Sequence, residues 1–416
     1  PLEKSLLVLG GGLSGMTAAL EAAQQGLKVF LVEKESELGG NLRGFDKKFN
    51  LEGTNLIDLL KMLKDQINHQ PNIQVYLNAQ VQEVNGFVGN FESIISQTGV
   101  EILVKHGGII VATGAKQYQP QEFLYQKDHR VITQTELERQ LDQNSFPLVN
   151  SVVMIQCVGS RNDEHPWCSK ICCGTAIKNA LTIKEKNSDT EVYILYRDLR
   201  SYGLQEKYYR EARTRGVVFI RFEDDDPPEV IQQGSTLQVR INSSVFQEKV
   251  TIPAGRVVLS TGIVPLETNI ATGKMLKVPI NQDGFFLEAH VKLRPVDFAT
   301  DGVYVCGLAH SPKSALESRL QAKACVARAM NILSKDQIQS EAQIAYVLKE
   351  RCTACGDCEK VCAYKAVKIN QEKKIAEVNA ALCKGCGLCS ATCKSTAIKV
   401  QGFAPEQLIS EVEYLL

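Results

Sequence analysis

The chain carries no cysteine before Cys157, a single Trp, six His and no excess of either charge, with 47 basic against 47 acidic side chains in 416 residues. Balanced charge gives no bulk attraction to nucleic acid or to an acidic membrane surface. No apolar run approaches the ~20 residues of a spanning helix, and no basic stretch, apolar core and cleavage site open the chain. These absences predict a soluble, cytoplasmic protein, peripheral on the inner face of the cytoplasmic membrane only through partners. At ~150 residues per domain, the length predicts two or three domains.

The 14 Cys that are present are grouped: four from Cys157 to Cys173, Cys306 and Cys325 singly, and eight from Cys352 to Cys393. A secreted disulfide scaffold is short and Cys-dense throughout, which this chain is not. Grouped cysteines in a reducing compartment point to metal.

Ser5–Leu9 reads as a short apolar strand, followed by Gly10-Gly11-Gly12-Leu13-Ser14-Gly15, a helical pattern from Met16, and a second strand, Lys28–Val32, closing on Glu33 and Lys34. This is the GxGxxG dinucleotide fingerprint in its strand–turn–helix–strand setting. Gly10 permits the tight turn, Gly12 lets a pyrophosphate approach the backbone, and Gly15 lets helix and sheet pack closely. The helix N-terminus offers free N–H groups to phosphate, and Glu33 stands where an adenosine ribose is bound.

FAD is indicated by three later segments: Gly39-Gly40-Asn41, Gly108 to Ala115 with Ala112-Thr113-Gly114, and Asp301 to Gly307. They resemble, in order, the flavin-contacting segments of flavoproteins with two dinucleotide-binding domains. The CxxxxC pair of glutathione-reductase-type enzymes is missing, since 41–50 holds no Cys. A disulfide relay at that position is therefore excluded.

Ser151–Gln156 and Glu191–Tyr196 read as the opening strands of a second nucleotide fold, yet Cys157-Val158-Gly159-Ser160-Arg161 replaces its fingerprint. Without those glycines a pyrophosphate is not expected to bind, NAD(P)H is not expected to be used, and Arg197 is expected to be a solvated surface residue. Cys157, Cys168, Cys172 and Cys173 form Cx10Cx3CC. Spacing alone leaves a [4Fe–4S] cluster, a zinc ion and a set of buried apolar thiols all open.

The run from Cys157 through Trp167, Cys168, Lys170, Cys172 and Cys173 to Lys178, with Gly307-Leu308-Ala309-His310-Ser311-Pro312-Lys313, resembles the A chain of heterodisulfide reductase. The resemblance spans nearly the whole sequence. It implies that the four cysteines hold a [4Fe–4S] cluster near FAD and that Lys178 lies by the flavin N5. His310 stands where simpler flavoproteins often carry Asp, making it a flavin-site candidate. Full-length family members carry an additional N-terminal iron–sulfur domain, whereas this chain begins four residues before its first strand, the expectation being a short form. Relatives of that kind also serve in quinone-interacting oxidoreductase complexes.

Cys352, Cys355, Cys358 and Cys362 form CxxCxxCxxxC, repeated by Cys383, Cys386, Cys389 and Cys393. This is the bacterial two-cluster ferredoxin pattern, in which the fourth Cys of each run serves the other cluster. Cys352, Cys355, Cys358 and Cys393 are expected on one cluster, and Cys383, Cys386, Cys389 and Cys362 on the other. The usual Pro after each run is replaced by Ala363 and Lys394. Cys306 and Cys325 are expected to be buried structural residues.

The expected architecture is an α/β flavoprotein with two dinucleotide-binding domains and a C-terminal bacterial-type 2[4Fe–4S] ferredoxin domain. It is expected to comprise a first FAD-binding, Rossmann-like portion (1–118), a linker (119–150), a degenerate nucleotide-binding domain with the Cys cluster (151–262), a second FAD-binding portion (263–335), the ferredoxin domain (340–404) and a tail (405–416). The expected role is electron transfer through FAD and three [4Fe–4S] clusters in a heterodisulfide-reductase-like complex, with other subunits and a redox protein such as ferredoxin as partners. Some members of that family bifurcate electrons at this flavin. The alternatives are the flavin subunit of a membrane-associated quinone-linked oxidoreductase, an NAD(P)H-dependent flavin reductase, and a non-catalytic relay.

Overall fold

The computed structural model describes residues 2–45, 48–50, 53–243, 248–337 and 343–415. It divides into two compact units, Glu3–Ser334 and Lys335–Leu416, the latter with Pro1–Leu2.

The larger unit is built on two five-stranded parallel sheets. In the first, the strands lie in the order Val303–Val305, Gly108–Val111, Ser5–Leu9, Lys28–Val32, Ile73–Tyr76. Every residue of Ser5–Leu9 is buried, as a parallel strand covered on both faces requires. Helix Leu13–Gln24 covers one face with Ala18, Ala19, Ala22 and Ala23, and helix Ala315–Leu333 packs against it. Small side chains on the first helix allow that close approach.

The second sheet runs Val217–Arg221, Glu191–Tyr196, Ser151–Val158, Arg256–Thr261, Val131–Thr133. Each sheet also carries a three-stranded antiparallel flap inserted before one of its strands. Ala79–Phe87, Asn90–Gln97 and Val100–His106 precede Gly108–Val111; Glu229–Gln233, Thr236–Ser243 and Glu248–Ala254 precede Arg256–Thr261. The unit is thus one motif used twice.

The stretch 119–150 is not a linker. Val131–Thr133 is the edge strand of the second sheet, and helix Gln134–Asp142 packs Leu137 and Leu141 into its core. Thr133 and Glu136 cap that helix reciprocally, a T-x-x-E start that is legible in the sequence.

In the smaller unit, Ala345–Val347 pairs with Ile398–Val400 and Val367–Asn370 with Ile375–Val378. Two short helices, Asp357–Val361 and Leu388–Thr392, each start from a left-handed glycine, Gly356 at φ 82° and Gly387 at φ 78°. Pro405–Leu415, expected as a tail, forms a helix.

Candidate flavin and iron–sulfur sites

The glycine turn is tight for steric reasons. Gly10 has φ 105°, and a Cβ on Gly15 would collide with the Gly10 carbonyl oxygen. Gly12 opens helix Leu13–Gln24 with no side-chain cap, leaving its first-turn N–H groups for a ligand. A Cβ on Gly40 would lie 3.1 Å from the Gly12 Cα, so the two backbones form opposite walls of one narrow cradle. Asn41 Nδ2 donates to the Ala115 carbonyl at 3.1 Å, tying the Gly39–Gly40 turn to the segment Ala112-Thr113-Gly114. Thr113 Oγ1 is buried there without a partner. Gly307, at φ 68°, comes so close to Ser14 that a Cβ would strike its hydroxyl. A chain of small residues and an orphaned hydroxyl around an uncapped helix start fits a dinucleotide.

Glu33 is buried and spans the turn: its carboxylate accepts from Gly11 N–H at 2.6 Å and from Glu35 N–H at 2.9 Å. Lys34 faces outward and pairs loosely with Glu35 at 3.8 Å. Leu13 packs against the first core.

Lys178, on helix Cys172–Lys186, is largely withdrawn from solvent, with 15% of its side chain exposed. Its Nζ pairs with Glu138 and donates to the Phe49 carbonyl at 3.2 Å, while Lys48 Nζ holds the other Glu138 oxygen at 2.6 Å. Burial pushes the Glu138 carboxyl up, but the two lysines outweigh it and hold it below its ordinary value. Burial draws the Lys178 amine down, with Glu138 opposing. Glu138→Gln strips the counter-charge from this site and is expected to destabilise the larger unit by about 3–5 kcal/mol. Urea unfolding of the variant beside the wild type measures it, and a loss under about 1 kcal/mol refutes the buried pairing.

His310 Nε2 donates to Glu288 at 2.8 Å, and its Nδ1 accepts from Gln321 Nε2 at 2.8 Å, the tautomer being set by the carboxylate. Gln321 Oε1 in turn accepts from Gly307 N–H at 2.9 Å. The histidine therefore braces the returning flavin segment. Burial, with Lys313 adding, lowers its pKa. Lys313 is buried, with Nζ on the carbonyls of Gly307 and Ser311 at 2.8 and 2.9 Å, and burial brings its amine down to about 8.

The four cysteines of the second domain gather at the end of strand Ser151–Val158 and the start of helix Cys172–Lys186. Burial pushes the Cys157 thiol up to about 11, with Cys173 and Cys168 near enough to add to it and Arg161 and Arg197 opposing. Cys173 is lowered by its hydrogen bond with Cys172, burial opposing, and by the Arg200 N–H. Lys170 N–H donates to Cys168 Sγ at 3.2 Å. Cys157, Arg161 and Lys170 all hold left-handed backbone, at φ 62°, 57° and 60°. Non-glycine residues are strained there, and such strain gathers at functional sites. Arg197, expected on the surface, is only 13% exposed: it pairs with Asp224 at 3.0 Å, bonds the Arg161 carbonyl and lies over Phe222.

This cysteine loop is pinned to the segments around Ile263, Ala115 and Leu308. Trp167 Nε1 donates to the Ile263 carbonyl at 2.8 Å, and Ser169 Oγ accepts from Ile263 N–H at 2.7 Å. Trp167, Ile171 and Leu308 pack with Ala115, Ile263 and Phe285 in one apolar cluster. Where the second fingerprint would stand, the Tyr118 ring lies against Gly159, and His165 meets it edge-on at 5.6 Å.

In the smaller unit, Cys352, Cys355 and Cys358 line one pocket with Cys393, and Cys389 neighbours Cys383, Cys386 and Cys362. Each group thus joins three cysteines of one run to the fourth of the other. Backbone N–H groups of Ala376, Ala397, Ala366 and Ala345 donate to Cys352, Cys393, Cys362 and Cys383 at 3.2–3.3 Å. Among the described residues no group of three or more His, Cys, Asp or Glu forms a site for a single metal ion. A four-iron cubane asks for a wider ring of thiolates than one zinc does. Cys306 and Cys325 are fully buried, and Cys325 Sγ donates to the Val305 carbonyl at 3.2 Å.

Residues 5–109 match the family model described as FAD dependent oxidoreductase. The iron–sulfur A chain of the CoB–CoM heterodisulfide reductase of Methanocaldococcus jannaschii is 32% identical over 88% of this chain and 70% of its own. The chain belongs to the family of heterodisulfide reductase A chains. The A chain of the H2:CoB–CoM heterodisulfide,ferredoxin reductase of Methanothermobacter marburgensis is likewise 32% identical, over 89% of this chain and 70% of its own.

The fold is that of thioredoxin reductase: the T. acidophilum enzyme superposes with a TM-score of 0.52 at 17% identity, covering 79% of this chain and 97% of that one. The Lactococcus lactis enzyme gives 0.54 at 17%, covering 80% and 99%. This member of the heterodisulfide reductase A-chain family is accordingly a mixed α/β FAD-dependent oxidoreductase with a cysteine-rich C-terminal unit. Among its described residues no helix is long and apolar enough to cross a membrane.

Glu138, Lys48, Lys313, Gln156 and Arg161 escape a motif reading. Glu138 falls in the stretch 119–150, and Lys48 carries no motif of its own. Lys313 closes the Gly307–Lys313 run in which His310 is the stronger signal, and Gln156 and Arg161 lie close to a cysteine whose own spacing is the stronger signal.

Proposed function

We propose that this chain is the FAD and iron–sulfur electron-transfer subunit of a heterodisulfide-reductase-like complex, carrying one FAD and three [4Fe–4S] clusters. The observation that supports it most is the cysteine loop fastened by Trp167, Ser169 and Ile171 to the flavin segments at Ala115, Ile263 and Leu308. Gly10, Gly12, Gly15, Gly39, Gly40, Thr113 and Gly307 would hold FAD; Cys157, Cys168, Cys172 and Cys173 one cluster; the two C-terminal groups the others. FAD supplies exchange between paired and single electrons, and iron–sulfur centres carry electrons singly. Lys178, held by Glu138, would place positive charge beside the flavin and favour its reduced form. Trp167 and Ile171, packed with Ala115, Ile263 and Phe285, would form an apolar partition between the two sites.

Nicotinamide is disfavoured as donor because Tyr118 fills the space a pyrophosphate needs at Gly159. Stoichiometric NADH is expected to leave the flavin absorbance unchanged within a turnover time under anaerobic conditions; rapid bleaching would restore the nicotinamide-dependent reading. The function itself is tested by anaerobic isolation of the native complex. Stoichiometric soluble subunits bearing Cys-rich domains, with flavin-dependent disulfide reduction, support the proposal. A haem-containing membrane subunit in their place would move the chain to a quinone-linked enzyme.

A further inference from the structure

Gln156 is 1% exposed, and neither its amide nitrogen nor its amide oxygen has a hydrogen-bond partner. Leaving a buried polar group unpaired costs about 1–3 kcal/mol, so native proteins rarely do it without a functional reason. Strand alternation puts Gln156 on the face of Val152 and Met154, toward helix Cys172–Lys186. The other buried polar side chains on that face bond to one another: Asn179 Nδ2 to Gln134 Oε1 at 2.7 Å, and Gln134 Nε2 to Ser260 Oγ at 3.1 Å. Gln156 is left out of that set. It directly precedes Cys157 in the chain, at the end of the strand where the cysteine loop begins.

A second orphan stands on the other flank. Arg161 uses Nη2 on Asp198 at 2.9 Å, while its buried Nη1 has no partner. Its guanidinium lies beside Cys157 and acts on Cys173 as well. Arg197 adds positive charge at Cys157 and Arg200 at Cys173. In the C-terminal unit the donors onto sulfur among the described residues are backbone N–H groups, as Lys170 N–H is for Cys168, with the Ser395 hydroxyl 3.5 Å from Cys393 and no guanidinium among them.

We propose that Gln156 Nε2 and Arg161 Nη1 donate N–H···S hydrogen bonds to the centre held by Cys157, Cys168, Cys172 and Cys173 and raise its reduction potential above those of the C-terminal pair. The inference deepens the functional reading above and rests on those cysteines holding an iron–sulfur centre. Reduction adds one electron to the centre, with no bond made or broken. Donors and cations favour the more negative state, so they raise the potential. Gln156 and Arg161 are tuning residues rather than ligands.

The test is an EPR-monitored anaerobic redox titration of the full chain as wild type, Gln156→Met and Arg161→Lys, with Cys168→Ser identifying which resonance belongs to this centre. Methionine keeps the volume of Gln156 and removes its donor. Lysine keeps the charge of Arg161 and moves the donor. Each variant is expected to lower the reduced-to-oxidised ratio at fixed potential at least tenfold, about 59 mV for one electron, with the C-terminal centres unmoved. An unchanged midpoint in whichever variant retains its iron overturns the proposal, as does a wild-type midpoint below the C-terminal pair. Loss of this centre's iron from both folded variants also overturns it, because the two residues would then be supports of the ligand shell. Absence of any Cys168-dependent centre from the wild type refutes the cluster reading itself and is told apart by iron content.

Discussion

Cys168→Ser is expected to take iron from about twelve atoms per chain to about eight while FAD stays bound. Cys168 sits in the loop after strand Ser151–Val158, half-exposed, with the Lys170 N–H on its sulfur, and lies outside the glycine segments proposed to hold FAD. Disulfide-reducing activity of the complex is expected to fall to background, because the removed centre is the one packed against the flavin segments through Trp167 and Leu308. Iron assay and flavin absorbance on anaerobically purified protein read the first outcome, and steady-state rates the second. Iron remaining near twelve would show that the four thiols hold no cluster. Iron near eight with full activity would put the cluster off the route.

Gly15→Ala is expected to give a chain that purifies without FAD. The added methyl would run into the Gly10 carbonyl oxygen, which is backbone and cannot swing aside, so helix Leu13–Gln24 must back away from the turn. Overpacking of this kind costs about 1–3 kcal/mol, and the retreat would disturb the approach of Gly12 to Gly40 at the proposed pyrophosphate site. Gly26→Ala is the control. It has φ 87° with nothing within 4 Å, so an alanine there meets only the left-handed penalty of about 1–2 kcal/mol and should keep its flavin. The ratio of flavin to protein absorbance, with thermal unfolding of both variants, decides it. A flavin-replete Gly15→Ala would mean the dinucleotide does not lie on this turn.

Elements fixed by local chemistry were legible in the sequence. Ser5–Leu9, Lys28–Val32 and Glu191–Tyr196 lie where their apolar runs place them, because a parallel strand buried on both faces has no polar alternative. The two CxxCxxCxxxC runs carry their spacing in the sequence, and the fold brings each fourth cysteine to the opposite group. What stayed hidden depends on residues far apart in the chain. Val131–Thr133 is three residues long and becomes a strand only through Arg256–Thr261, over a hundred residues on. The repeated flap leaves no sequence trace because antiparallel pairing constrains alternation and not identity. Lys178, Glu138 and Lys48 meet from three separate segments, and each alone reads as a surface charge. Arg197 reads as solvated for the same reason, since Asp224 and the Arg161 carbonyl reach it only in the fold.

The left-handed backbone at Cys157, Arg161 and Lys170 bears on how the protein is made. Strained positions of this kind cost about 1–3 kcal/mol each and persist only where their surroundings over-determine them. A newly synthesised chain, before iron is delivered, has only side-chain and backbone hydrogen bonds such as those of Trp167, Ser169 and Arg161 to hold that shape. The loop is therefore the segment a protease would reach first in an unloaded chain, and resistance to cleavage there would report maturation. In a cell short of iron, turnover of the whole protein would begin at this loop.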